Sequence, residues 1–226
     1  MNIKIEDPTS IITIDGPVGV GKSSVAKKVA RILNYNHLDT GATYRVVTLE
    51  AMKQGVPLDN QQALTQLAKS LKIGLNYIDG KLHVYCNDKE VTDEIRDPEV
   101  SRNTSPVADC IGVRRAMGEL QRKLGALGNV VCEGRDMGTV IFPEAELKFY
   151  LDGNIEERAN RRCLQLKEMG KESNLEKEMQ SVITRDMRDR TRPDGSLKVA
   201  DGAIIIDTTM FDEDEVVDII VEFAKK

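Results

Sequence analysis

The sequence predicts an α/β domain built on a mostly parallel sheet, with a small antiparallel insert. Three observations lead there. Short β-branched runs alternate with segments of helical periodicity along 226 residues, the pattern of a sheet wrapped by helices. Gly16-Pro17-Val18-Gly19-Val20-Gly21-Lys22-Ser23 fits G-x-x-x-x-G-K-[ST], a loop that needs a strand before it and a helix after it. The stretch from Ile73 to Val91 breaks the alternation with closely spaced strand and turn signals.

Ile11–Asp15 reads as a buried strand feeding the glycine turn, and Ser23–Leu33 as the helix that leaves it. Tyr35–Leu38 is a second strand, followed by helices at Ala42–Lys53 and Gln61–Leu71. Ile73–Ile78, Lys81–Cys86 and Lys89–Val91 form the insert, joined by the hairpin signals Asp79-Gly80 and Asn87-Asp88. A helix over Val113–Leu127 precedes strands at Val130–Glu133 and Leu147–Leu151. Helices at Ile155–Met169 and Leu175–Arg188 lead to a fifth core strand, Ala203–Asp207. The last helix, Asp212–Ala224, opens with acids, which its dipole favours. Residues 1–226 read as one domain, with a core over 10–72 and 98–226 and the insert over 73–97. Segment 155–170 is a candidate lid, and 190–199 a flexible loop.

Composition narrows the function. Hydrophobic residues are 40% and charged residues 31%, an ordinary soluble balance. Aromatics are 4%, without Trp, and the net charge is −5; stacking platforms and a broad basic surface for nucleic acid are both lacking. Cys86, Cys110, Cys132 and Cys163 form no C-x-x-C pair and lie far from His37 and His83 in sequence, so buried free thiols are expected rather than a zinc site. Neither a signal segment nor a long apolar run is present. The expected setting is a reduced cytoplasm, without a membrane partner and with a monomeric chain.

The glycine loop carries the clearest chemistry. Its backbone N–H groups can turn inward around phosphate oxygens, helped by the helix N-terminus. Lys22 can reach β- and γ-phosphates, and the Ser23 hydroxyl can ligate Mg²⁺. Glu133-Gly134-Arg135-Asp136 follows a buried strand, where the crevice of an open α/β sheet forms. Asp39-Thr40-Gly41-Ala42-Thr43-Tyr44-Arg45 also follows a strand; Asp39 or Thr40 can cap the next helix, serve the crevice, or both. Arg158, Arg161, Arg162, Arg185, Arg188, Arg190 and Arg192 crowd the second half, interleaved with acids. They read either as solvated faces laced with weak ion pairs or as a lid that folds over phosphates, which guanidinium groups grip bidentately. Asp15 and Glu133 are candidates to act through metal-bound waters. No nucleophile-and-base arrangement is visible, and neither histidine has a triad context.

Taken together these motifs make the chain resemble the bacterial cytidylate kinases, of the P-loop nucleoside monophosphate kinase family. The resemblance runs from about Ile12 to Glu222 and rests on several segments. They are Ile14-Asp15-Gly16-Pro17 with its loop, Leu38 to Arg45, Glu94-Ile95-Arg96 with Pro98-Glu99-Val100-Ser101, and Glu133 to Val140 with Phe142-Pro143. Glu156-Glu157-Arg158-Ala159 with Arg161-Arg162, and Arg185-Asp186 with Asp189-Arg190, complete the set. It implies a five-stranded parallel sheet and transfer of the ATP γ-phosphoryl group to CMP or dCMP, with Mg²⁺. It implies that residues Gly16 to Ser24, with Arg158 and Arg162, hold ATP, and that Ser23 holds the metal with waters. Thr40, Arg45, Ser105, Arg114, Arg135, Asp136, Arg185, Asp189 and Arg192 would surround the acceptor, with the insert beside them. Lys22, Arg135, Arg158, Arg162 and Arg185 would serve the transfer itself.

Cytosine chemistry fits that set. Its N4 amino group donates while N3 and O2 accept. Asp136 is assigned to N4 and Arg114 with Ser105 to the ring acceptors; Asp189 is assigned to the ribose hydroxyls, and Arg45, Arg135 and Arg192 to the acceptor phosphate. After Arg192 the family tends to run Val-Ala-Pro-Leu, where this chain has Pro193-Asp194-Gly195-Ser196-Leu197. Competing readings are a kinase for UMP, AMP or shikimate, against which the Asp136–Arg114 pair and the insert argue. A P-loop switch without an acceptor is a different class, and it leaves the arginine-rich second half unused.

Overall fold

The computed structural model of the chain describes residues 10–78 and 81–225. β1 (Ile11–Asp15) leads through the glycine turn into α1 (Lys22–Leu33), and β2 (Asn36–Asp39) into α2 (Thr40–Lys53) and α3 (Gln61–Ser70). The insert follows as β3 (Ile73–Ile78), β4 (Lys81–Cys86) and β5 (Lys89–Glu90). The expected Asp79-Gly80 turn lies outside the described residues. Two helices come next, α4 (Pro98–Asp109) and α5 (Ile111–Gly125). β6 (Val130–Gly134), one turn of π-helix at Met137–Ile141 and β7 (Leu147–Asp152) precede α6 (Ile155–Glu168) and α7 (Leu175–Thr191). β8 (Ile204–Asp207) and α8 (Glu213–Ala224) close the chain.

The five core strands pair in the order β2-β6-β1-β7-β8, all in parallel. β1 lies mid-sheet between β6 and β7, so the winding direction reverses beside it. A crevice opens at the carboxyl ends of β1 and β6, the usual ligand position in such sheets. The separate sheet β3-β4-β5 is antiparallel. It meets the main sheet where the Tyr77 hydroxyl lies 3.1 Å from His37 Nδ1 on β2.

The β-branched runs are buried as their composition requires: Ile12 and Ile14 pack with Phe149, Leu151, Val25, Val29, Val217 and Ile220 between the sheet and helices α1 and α8. A second core joins α2, α3, α4 and α5 to the insert through Val47, Leu64, Val84, Val91, Val107 and Val113. The acids at the start of α8 form a capping box: Asp212 accepts the Glu215 N–H at 2.9 Å, and Glu215 accepts the Asp212 N–H at 2.8 Å. All four cysteines are free, three of them buried. Among the described residues no helix is long and apolar enough to cross a membrane.

Two elements differ from the sequence expectation. α4 was absent from it, because Pro106 inside the helix and its run of Ser, Thr and Asn weaken the periodic signal. Its start was nonetheless encoded: Pro98 occupies the first turn and Asp97 accepts the Glu99 N–H at 2.7 Å. α7 runs on through Thr191, so the following loop begins at Arg192, and both Arg192 and Leu197 are buried.

Phe149 is 1% exposed and meets Phe223 edge to face at 6.1 Å. Phe149→Ala is expected to lower the unfolding free energy by about 3–5 kcal/mol, read from the urea midpoint at unchanged m-value.

Candidate active site

The glycine loop is shaped by two close approaches. Gly16 has φ 151°, and a Cβ there would overlap the Leu151 carbonyl on β7. Gly19 has φ 81°, and its Cβ would lie 2.9 Å from the Arg158 carbonyl on α6. Only glycine lets the loop tuck between β7 and α6 in this way. Val20, by contrast, packs into the core at 1% exposure.

Lys22 opens α1 and is itself buried; Nζ donates to the Pro17 carbonyl at 2.6 Å. Burial, then the neighbouring Arg135 guanidinium, push its amine down to about 7. The Ser23 hydroxyl donates to the Glu133 carboxylate, which is 5% exposed and has no cationic ion-pair partner among the described residues. These are hard oxygen donors beside the phosphate cradle, the donor type Mg²⁺ prefers. Among the described residues no cluster of three or more His, Cys, Asp or Glu can cage a metal alone. An ion here would rest on ligand phosphates and water as well.

Asp15 does not face that position. Its two oxygens accept the Met137 N–H at 2.9 Å and the Gly138 N–H at 2.8 Å, so each oxygen is tied to the π-helical turn. Burial raises its carboxyl to about 6 against the lowering effect of those two N–H groups. Asp15 thereby anchors the turn that follows β6.

That turn carries Arg135 and Asp136. Asp136 is 2% exposed, pairs with Arg114 from α5, and lies 3.9 Å from Arg192 Nη2. Arg135 Nε donates to Asp189 Oδ2 at 2.6 Å, and Arg192 Nη1 reaches Asp189 Oδ1 at 3.4 Å. Arg192 Nε donates to the Gly195 carbonyl at 2.6 Å. Gly195 has φ 60°, and a Cβ there would overlap both the Arg114 guanidinium and the Asp136 carboxylate. The divergent loop after Arg192 thus lies directly on the buried pair.

On the β2 side, Asp39 caps α2 through the Ala42 N–H at 3.0 Å and pairs with Arg45 Nη2 at 2.8 Å. Burial alone would raise its carboxyl, but Arg45 holds it below the usual range. Thr40 Oγ donates to the Glu133 carbonyl at 2.6 Å, joining the ends of β2 and β6.

The arginines divide. Arg185 makes no hydrogen bond or ion pair among the described residues, and burial with the neighbouring Arg135 pushes it down to about 10. Among the described residues Arg162 has only Glu178 at 4.0 Å as an ion partner. Arg161 is tied to Thr208 at 2.7 and 3.0 Å, a structural bond to the end of β8. Arg158 is 4% exposed and bonded to Asp186, Val18 and Gly153 rather than opening on the crevice.

A cleft of about 310 Å³ gathers these groups. Val18, Gly19, Gly21, Lys22, Ser23 and Ser24 form one wall; Thr40, Arg45, Ser105, Arg114, Arg135 and Asp136 line the other side. Arg162, Arg185, Asp189 and Arg192 close it from α6, α7 and the loop. Of the residues singled out from sequence, Gly16, Pro17, Val20 and Arg158 do not line it. The cleft adds Tyr44, Ser101 and Thr104; the last two come from α4, and the Asp97-Pro98 helix start was the signal that could have found them. Among the described residues, three buried polar atoms of the cleft's lining residues lack a hydrogen-bond partner: Arg45 Nε, Arg114 Nε and Arg192 Nη2.

The low value at Lys22 sets a pH dependence. Bound phosphates favour the ammonium form, so a nucleoside triphosphate takes up a proton on binding above pH 7. Its dissociation constant should rise between pH 7 and 9, by up to about tenfold per unit. Calorimetry in buffers of different ionisation enthalpy measures both the affinity and the proton uptake.

Comparison with known proteins agrees with this geometry. A family model described as cytidylate kinase matches residues 12–226. A cytidylate kinase of Exiguobacterium sibiricum is 45% identical over 214 residues, covering 95% of this chain and 96% of the relative. One from Caldanaerobacter subterraneus subsp. tengcongensis is 40% identical over 215 residues, covering 95% and 94%. A crystal structure of an uncharacterized protein from Eubacterium ventriosum shares the fold, at TM-score 0.51 and 15% identity over 96% of this chain and 98% of that one. The family match spans both walls of the cleft and helices α6 and α7, so the chain belongs to the cytidylate kinase family.

Proposed function

We propose that this protein transfers the γ-phosphoryl group of ATP to the phosphate of CMP or dCMP, giving ADP and CDP or dCDP. The acceptor's phosphate oxygen is the nucleophile, so no side-chain base is required; a β–γ bridging P–O bond breaks as the new P–O bond forms. Positioning and positive charge then supply the catalysis. One observation carries the reading: among the described residues Arg185 makes no hydrogen bond or ion pair, and it is a buried cation crowded by Arg135, Arg162 and Arg45 that Asp189 offsets only in part, in the cleft shared by the glycine loop and the acceptor wall. A dense anion in transit at that point would satisfy it.

Lys22 leaves the Pro17 carbonyl for the donor phosphates, together with the loop N–H groups. Ser23 and Glu133 would hold Mg²⁺, whose charge, when bound, neutralises phosphate oxygens of the donor. Arg162 and Arg185 meet the transferring group, and Arg45, Arg135 and Arg192 the acceptor phosphate. Asp136 accepts from cytosine N4, Arg114 and Ser105 donate to the ring, and Asp189 accepts from ribose. Arg158 supports the glycine loop. One chain provides every group in this scheme, consistent with a monomer working on the soluble nucleotide pool of the cytoplasm, without nucleic acid or membrane.

Release of ADP from MgATP, measured against CMP, dCMP, UMP, AMP, GMP and shikimate, tests the assignment. CMP and dCMP should exceed UMP clearly; a preference for another acceptor overturns the substrate, and ADP release that ignores all acceptors overturns the transfer. Asp136→Asn should cut kcat/KM for CMP by roughly 5- to 150-fold, the about 1–3 kcal/mol that one base contact is worth, while raising the UMP-to-CMP ratio. Arg185→Met should lower kcat by about 10³-fold or more, with a much smaller change in KM for either nucleotide.

A further inference from the structure

The Arg158–Asp186 pair lies outside the cleft, yet it grips the cleft's rim. Arg158 comes from α6 and Asp186 from α7, and their ion pair closes at 2.6 Å with side chains 4% and 12% exposed. Both ends of the Val18 residue are held by it. Asp186 Oδ1 accepts the Val18 N–H at 3.3 Å, and Arg158 Nη1 donates to the Val18 carbonyl at 3.0 Å. Arg158 Nε is fixed in turn on the Gly153 carbonyl at 2.9 Å, just past β7. The adjacent Gly19 leaves no room for a side chain against the Arg158 backbone. On the inner side of the same rim, Lys22 holds the Pro17 carbonyl.

We infer that Asp186 is a positioning residue for the phosphoryl donor: with Arg158 it latches the Val18 peptide to the two arginine-bearing helices and so sets the shape of the glycine loop. Val18 lines the cleft, whereas Arg158 and Asp186 do not. The pair therefore acts through the loop backbone rather than by touching substrate. Its location makes the effect one-sided. The base-facing part of the acceptor wall rests on β6, its π-helical turn and α5; Asp189 on α7 reaches that wall through Arg135 and Arg192, and among the described residues neither Arg158 nor Asp186 hydrogen-bonds to it. When the donor draws Lys22 off the Pro17 carbonyl, the outer latch is what keeps the rim from spreading. It also joins the loop to α6 and α7, so those helices cannot shift without carrying the Val18 rim with them.

This inference rests on the ATP-binding reading of the loop, and the test separates the two. MgATP binding is measured by calorimetry without acceptor, alongside CMP binding as a control for folding. Asp186→Ala is expected to raise the MgATP dissociation constant at least tenfold while the CMP constant stays within twofold; KM for ATP rises and KM for CMP holds. Asp186→Asn retains one acceptor oxygen and should fall in between, and it decides the matter where the alanine variant is not recovered folded. MgATP binding that is unchanged, or tighter because a freed Arg158 swings onto phosphate, overturns the latch. So does an equal loss of both nucleotides, which marks a merely structural pair. Failure of the unaltered protein to bind MgATP overturns the ATP reading instead.

Discussion

The buried carboxylate of Asp15 holds the site together. It closes β1 at the point where the glycine loop departs, and its two oxygens take the N–H groups of Met137 and Gly138 after β6. The donor loop and the acceptor turn are thus referred to one side chain. Parallel pairing of β1 with β6 brings the two strand ends level, Asp15 opposite Gly134, and the carboxylate converts that proximity into a fixed geometry. Its raised affinity for a proton shows how strongly burial works against the arrangement, offset in part by two charge-assisted bonds.

Around that anchor the cleft carries an excess of positive charge. Arg114, Arg135, Arg185 and Arg192 face Asp136 and Asp189, and Arg185 has no partner of its own. Burial, with neighbouring guanidinium groups, pushes Arg185, Arg192 and Lys22 all down, against the opposing pull of Asp189 on each of them. Protein groups partly stand in for ligand. Lys22 rests on a loop carbonyl, and Arg114 on the carboxylate it would share with a base. In the proposed reaction, nucleotide phosphates would relieve the imbalance.

The arginine-rich helices then serve two ends of the problem. Arg162 and Arg185 point their charge into the cleft, whereas Arg158 and Arg161 spend theirs on backbone and hydroxyl oxygens that fix α6 to the glycine loop and to β8. The arginines that read from sequence as either a solvated, ion-paired face or a phosphate-binding lid do not share one environment. Neighbours in the chain on one helix differ because a turn of 3.6 residues aims them at different partners.

Local chemistry made much of this legible in the chain itself. The β-branched runs predict the strands because only a buried sheet accommodates them, and the Gly16 to Ser23 spacing predicts the phosphate loop because it dictates backbone conformation over eight residues. The motif around Glu133 to Asp136 announces charge at a strand end, and the cytidylate kinase resemblance follows from the run as written. α4 escaped, since Pro106 and short polar residues mask its period. What only the tertiary structure decides is direction and partnership: that Asp15 faces a turn 122 residues away, that Arg158 backs the loop rather than entering the cleft, that Gly195 seals the Arg114–Asp136 pair. These depend on contacts between segments remote in the chain, and side-chain orientation across such distances is set by packing rather than by any local pattern.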